Sequence, residues 1–187
     1  MDKQIILASA SPRRAEILEK MGIENFIVVP AAISEDIESC GPEEYVKTLA
    51  KNKAVHIAKD NEGIIIAADT IVALGDAILG KPKDENDAAD MLKKLSGNMH
   101  SVYTGICIID TSLKEMICDH EKTDVYFRRL SEKEIDEYIK TGEPMDKAGA
   151  YGIQGRACSF IKRIEGCYYN VMGLPAAKLH ILLTALR

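Results

Sequence analysis

Apolar positions along the chain follow two alternating periods. "KQIILA" (residues 3–8) and "FIVVP" (26–30) are short, dense apolar runs that predict strands, and the segment between them carries helical spacing from Pro12 to about Gly22. This order predicts a βαβ opening. The helical period returns from Pro42 to about Asp60, followed by "GIIIAA" (63–68), a continuous run that predicts a strand buried on both faces. In "IVALGDAIL" (71–79), Gly75 and Asp76 separate two apolar arms and predict a hairpin. Residues 84–97 predict a helix with acids first, lysines late and Gly97 beyond its end. Strand patterns at about 101–109 and 115–129 precede a helix from Ser131, where Glu134 completes a capping-box signature. The glycine-rich "KAGAYGIQG" (147–155), further strands to about Met172 and a closing helix from Pro175 end the pattern.

The mixture of a βαβ start with long antiparallel-looking segments predicts an α/β protein with an elongated mixed sheet flanked by helices. No repeat, low-complexity tract or linker divides residues 1–187, and 47% hydrophobic content suffices for a core, so a single domain is expected. The fingerprints G-x-G-x-x-G, G-x-x-x-x-G-K-[ST] and G-x-S-x-G are all absent. Dinucleotide, P-loop and serine-hydrolase chemistry lose their main support.

Charge and cysteine content narrow the setting. A net charge of −5 argues against a stable nucleic-acid partner, while leaving room for a small polyanion in a locally basic cleft. Cysteines 40, 107, 118, 158 and 167 are odd in number and show no C-x-x-C spacing, which predicts reduced, mostly packed thiols in a cytoplasmic protein. The opening apolar run is too short for a signal peptide and no stretch is long enough to span a bilayer, so no membrane association is expected.

The charges of the first helix break a rule that the helix over 84–97 obeys. Ser11 suits the N-cap and Pro12 the first helical position, yet Arg13 and Arg14 stand in the first turn, where a partial positive charge favours acids. Arg14 also occupies the position a capping box reserves for Glu or Gln. Either these are solvated arginines, or an anion such as phosphate docks there with the Ser9 and Ser11 hydroxyls beside it. On the electrostatic argument alone, removing either arginine relieves the empty helix end by roughly 0.3–1 kcal/mol.

Three further residues are candidates for chemistry. Lys53 shares a helical stripe with Val46, Ala50 and Ile57, so it either snorkels past the core edge or reaches a buried anion. Lys81 is held extended by Pro82 in "LGKP". Asp69 follows "GIIIAA", which predicts a carboxylate at the end of a buried strand, able to bind a divalent cation or orient water unless it is only a turn residue.

In this order, "LASASPRRAEIL", "AADTIV", "GKP", "KAGAYGIQG" and "GCYYNVMGLP" resemble the Maf family of nucleoside triphosphate pyrophosphatases, over nearly the whole chain. "DKAGAYGIQG" resembles the branch acting on dTTP and UTP, which implies those substrates and modified pyrimidine nucleotides beside them. The resemblance implies a fold related to the inosine triphosphate pyrophosphatases, a divalent cation (Mg²⁺ or Mn²⁺), a nucleoside triphosphate substrate and a homodimer. It places Asp69 as the catalytic proton acceptor and metal-side acid, and Ser9, Arg13, Arg14, Lys53 and Lys81 as polar and phosphate-facing residues. Arg13, Thr70 and Gln154 fall at the positions associated with pyrimidine preference. A second metal-side acid falls in "ISEDIE", at Glu35 or Asp36. The family's link to restraint of septum formation leaves an alternative, a nucleotide-binding regulator with little turnover. A protease or esterase is disfavoured, because no motif joins a serine or cysteine to His56, His100, His120 or His180.

Overall fold

The computed structural model of the chain describes residues 3–34, 37 and 40–186. The elements run β1 (Ile5–Leu7), α1 (Pro12–Lys20), β2 (Phe26–Val28), α2 (Pro42–Ala58), β3 (Ile64–Leu74), β4 (Ala77–Leu79), α3 (Glu85–Leu95), β5 (Met99–Asp110), β6 (Glu115–Phe127) and α4 (Glu132–Ile139). Three short 3-10 turns (Glu143–Asp146, Ala148–Ala150, Arg156–Phe160) come next in the chain, and β7 (Ile161–Glu165), α5 (Tyr168–Met172) and α6 (Ala176–Ala185) follow.

Among the described residues the strands form one mixed seven-stranded sheet in the order β2-β1-β3-β5-β6-β7, with β4 also on β3. The βαβ opening is present: β1 pairs in parallel with β2 (Ile5 opposite Phe26) and with β3 (Ile5 opposite Ile64). The hairpin at Gly75 and Asp76 is present too, with Val72 opposite Leu79 in antiparallel register. The capping box on α4 forms in full, since Ser131 and Glu134 each bond the other's backbone N–H.

Two compact units can be distinguished. The first holds residues 1–69, 104–121 and 173–187. Its core includes Ile6, Ala8, Ile65, Ala67 and Cys107 from the sheet against Ala50, Ala54 and Ile57 of α2. Side chains alternate along a strand, so Ile65, Ala67 and Asp69 share the face that α2 covers. The helix lies close because β5 offers Gly105 beneath it, where a Cβ would overlap the Val46 carbonyl and lie 2.8 Å from the Lys47 nitrogen. The second unit holds residues 70–103 and 122–172, built around Leu92, Leu95, Val125, Phe127, Ile135, Tyr138, Tyr151 and Phe160.

Four sequence expectations need correction. β3 does not end near Asp69 but continues to Leu74, because Ile71, Val72 and Ala73 extend the buried run. Residues 168–172 form the short helix α5 rather than strand. Ser11 stands at the N-cap of α1 without a side-chain capping bond. Cys107 and Cys118 are joined as a disulfide across neighbouring strands β5 and β6, with Cα atoms 4.2 Å apart, a pairing set by strand register rather than by sequence spacing. Of the remaining cysteines, Cys40 and Cys167 are half-buried and Cys158 is exposed. No helix among the described residues is long and apolar enough to cross a membrane.

Candidate functional site

In the first unit the polar candidates gather around the middle of β3. Lys53 projects from the face of α2 that covers the sheet, and its Nζ lies 2.6 Å from Asp69 Oδ1, with the two side chains 12% and 10% exposed. The buried anion that Lys53 reaches is therefore a carboxylate of the same chain. Burial of both charges is tolerable because each neutralises the other at hydrogen-bond distance.

Arg14 is tied to the same strand. Its Nη1 donates to the Ala68 carbonyl at 2.8 Å and to Ser9 Oγ at 2.9 Å, while Nε donates to the Gly173 carbonyl at 2.8 Å. Ser9, 7% exposed, also accepts the Ser11 backbone N–H at 3.2 Å. An arginine thus sits in the first turn of α1 because its guanidinium spans carbonyl oxygens of two other segments. Those oxygens carry the negative potential that the helix end lacks. Arg13 precedes it in the same turn and is half-buried.

Thr70, Lys81 and Gln154 belong to the second unit. Thr70 follows Asp69 on β3, so its side chain projects from the opposite face. Lys81 is exposed in the connection between β4 and α3, and the neighbouring Gly80 carbonyl accepts the Gly149 N–H at 3.0 Å. This bond draws "GKP" to the start of the glycine-rich segment. Fully buried Ala150 there has φ 60°, a left-handed conformation rare for a residue with a Cβ. Gln154 is exposed at a turn closed by the Gly155 N–H on the Gly152 carbonyl at 3.1 Å. Glu35 and Asp36 lie outside the described residues.

Sequence reasoning missed the residues that brace this segment. Tyr151 Oη lies 2.8 Å from His100 Nε2, and both rings pack edge-on against Phe127. Burial holds the His100 imidazole well below its ordinary value, at about 4, against the opposing pull of Asp124. The signal for this was weak: His100 stands alone in a strand pattern with no partner at a motif spacing.

Among the described residues no group of three or more His, Cys, Asp or Glu side chains could hold a metal by itself. A cation arriving on phosphate oxygens needs only one or two protein carboxylates, a requirement that Asp69 fits.

Residues 4–186 match the family described as Maf-like protein. The dTTP/UTP pyrophosphatase of Clostridium perfringens (strain SM101 / Type A) is 52% identical over 181 residues, covering 95% of this chain and 94% of that protein. The dTTP/UTP pyrophosphatase of Aquifex aeolicus (strain VF5) is 48% identical over 184 residues, covering 98% and 95%. In fold alone, the chain is similar to a HAM1 protein from Coxiella burnetii, with a TM-score of 0.55 at 16% identity over 98% of this chain and 99% of that one. The extent of these matches settles the kinship: this chain belongs to the Maf-like protein family.

Proposed function

We propose that this protein hydrolyses dTTP and UTP, and modified pyrimidine nucleotides of the same shape, to the nucleoside monophosphate and pyrophosphate. The observation that carries the reading is the buried Lys53–Asp69 pair, in a chain about half identical to proteins named dTTP/UTP pyrophosphatase. Asp69 accepts the proton of the water that attacks the α-phosphorus. Lys53 fixes one carboxylate oxygen, so the group meets that water in a single orientation. Arg13 and Lys81 counter the charge that grows on the departing pyrophosphate, and Ser9 and Arg14 complete the polar lining. Asp69, with Glu35 or Asp36, would hold a divalent cation, Mg²⁺ or Mn²⁺, which would neutralise phosphate charge when bound.

Base preference rests on Gln154, with Thr70 and Arg13. A glutamine amide accepts from uracil N3–H and donates to O4, and the same edge exists in thymine. A homodimer belongs to this reading through the family resemblance alone. The test is pyrophosphate release by catalytic amounts of protein over a panel of dTTP, UTP, CTP, GTP, ITP and 7-methyl-GTP at one Mg²⁺ concentration. Turnover led by dTTP or UTP is expected. A lead for ITP or 7-methyl-GTP removes the pyrimidine assignment, and stoichiometric binding without turnover favours the regulator.

A further inference from the structure

The carboxylate of Glu143 is engaged from two sides within the second unit. Oε1 accepts the Tyr138 hydroxyl at 2.9 Å and Oε2 accepts the Arg156 backbone N–H at 3.1 Å. Tyr138 belongs to the core at 3% exposure, and burial, then the bond to Glu143, push its phenol well above the ordinary value, so it remains a donor. Gly155 lets the acid lie against the chain, since a Cβ there would overlap the carboxylate, with Oε2 2.7 Å away. The turn from Gly152 to Gly155 therefore has two anchors. Ile153 is buried within it, and Glu143 grips the backbone at its exit, while Gln154 between them faces outward.

We propose that Glu143 is a positioning residue for base selection, which holds the Gly152–Gly155 turn so that the Gln154 amide meets the pyrimidine edge without Glu143 touching the nucleotide. The inference rests on the pyrimidine reading of Gln154 given above. An amide selects between bases only when its place is held to about 0.5 Å and 10–20°. A charged acceptor on a backbone N–H is a stronger restraint than a neutral one. Anchoring that acceptor to a core tyrosine transfers the rigidity of α4 to an exposed turn.

The experiment measures kcat and KM for UTP, CTP and ITP, with melting temperatures, in Glu143→Ala, Glu143→Gln, Gly155→Ala and Gln154→Ala. Glu143→Ala is expected to raise KM for UTP roughly tenfold with a smaller change in kcat, and to narrow the UTP preference toward that of Gln154→Ala. Glu143→Gln restores most of the preference, because its amide oxygen still accepts the Arg156 N–H. Gly155→Ala, at a φ of −92° that alanine adopts, displaces the carboxylate with Glu143 intact and produces the same narrowing even if Glu143→Ala fails to fold. An unchanged UTP preference in Glu143→Ala and Gly155→Ala, beside a collapse in Gln154→Ala, overturns the inference alone. An unchanged preference in Gln154→Ala removes the base-reading role of Gln154, and this inference with it.

Discussion

Lys53 and Asp69, sixteen residues apart, form a buried ion pair in which α2 supplies the cation and the middle of β3 the anion. The pair joins folding to chemistry. A carboxylate at 7% exposure on a strand among apolar neighbours would be costly alone, and the lysine that makes it tolerable also fixes its direction. Mutations here should therefore separate stability from turnover.

Asp69→Asn should keep the fold at reduced stability, since the buried Lys53 ammonium is left with only a neutral acceptor, while lowering kcat by on the order of 10² or more, because the amide keeps the shape but not the basicity. Steady-state turnover of UTP at saturating Mg²⁺ checks this. Activity within a few-fold of wild type would sink the assignment of Asp69 as proton acceptor.

Lys53→Met should destabilise the protein by about 3–5 kcal/mol, the usual effect of leaving one buried charge without its partner. Adding Asp69→Asn to it should recover part of that loss while activity stays low. Denaturant unfolding of both singles and the double closes the cycle. Additive losses would mean the two groups are not coupled.

Arg14→Ala should lower the melting temperature, against the expectation from helix electrostatics that its removal relieves the end of α1. The substitution deletes donors to Ser9, Ala68 and Gly173. At ~0.5–1.5 kcal/mol for each bond, that loss outweighs the ~0.3–1 kcal/mol gained from the dipole. Arg14→Lys should recover little, since one ammonium does not reproduce the fork. Thermal unfolding without ligand decides it, and an unchanged or raised melting temperature in Arg14→Ala would restore the electrostatic expectation.

His100 should impose an acid limit on stability. The folded protein keeps the ring neutral down to about pH 4, whereas an unfolded chain protonates it near 6.5. The unfolded state binds the extra proton in that window, so stability is intact above 6.5 and falls as pH drops toward 4, by on the order of 3 kcal/mol. His100→Gln should flatten that part of the curve. Urea midpoints at intervals between pH 7 and 4 measure it, and an unaltered slope in the mutant would place the effect elsewhere.

Much of the fold was legible because its signals are local. Ser131 and Glu134 meet within one helical turn, and Gly75 and Asp76 sit between apolar arms, so nothing distant decides either feature. The position of Lys53 on the apolar stripe of α2 was legible for the same reason. Its partner was not, because Asp69 comes beneath α2 only through the pairing of β1, β3 and β5. The continuation of β3 past Asp69 was missed where a polar pair, Asp69 and Thr70, interrupts an apolar run and imitates a strand end. Cys107 and Cys118 were invisible as a pair since register, unlike spacing, is a property of two strands together. Glu143 carried no motif signal at all; its meaning lies in a backbone N–H thirteen residues on.

At Gly105 the backbone of α2 rests on the sheet with no side chain between them. Such a seam is a mechanical stop: at this point the approach of helix to strand is limited by main-chain atoms rather than by a side chain. Ala50, Ala54 and Ala67, all fully buried, keep the same close approach along the rest of the seam, and Lys53 bridges the gap they leave. The length of one lysine side chain has thereby become the gauge to which this helix and strand are set.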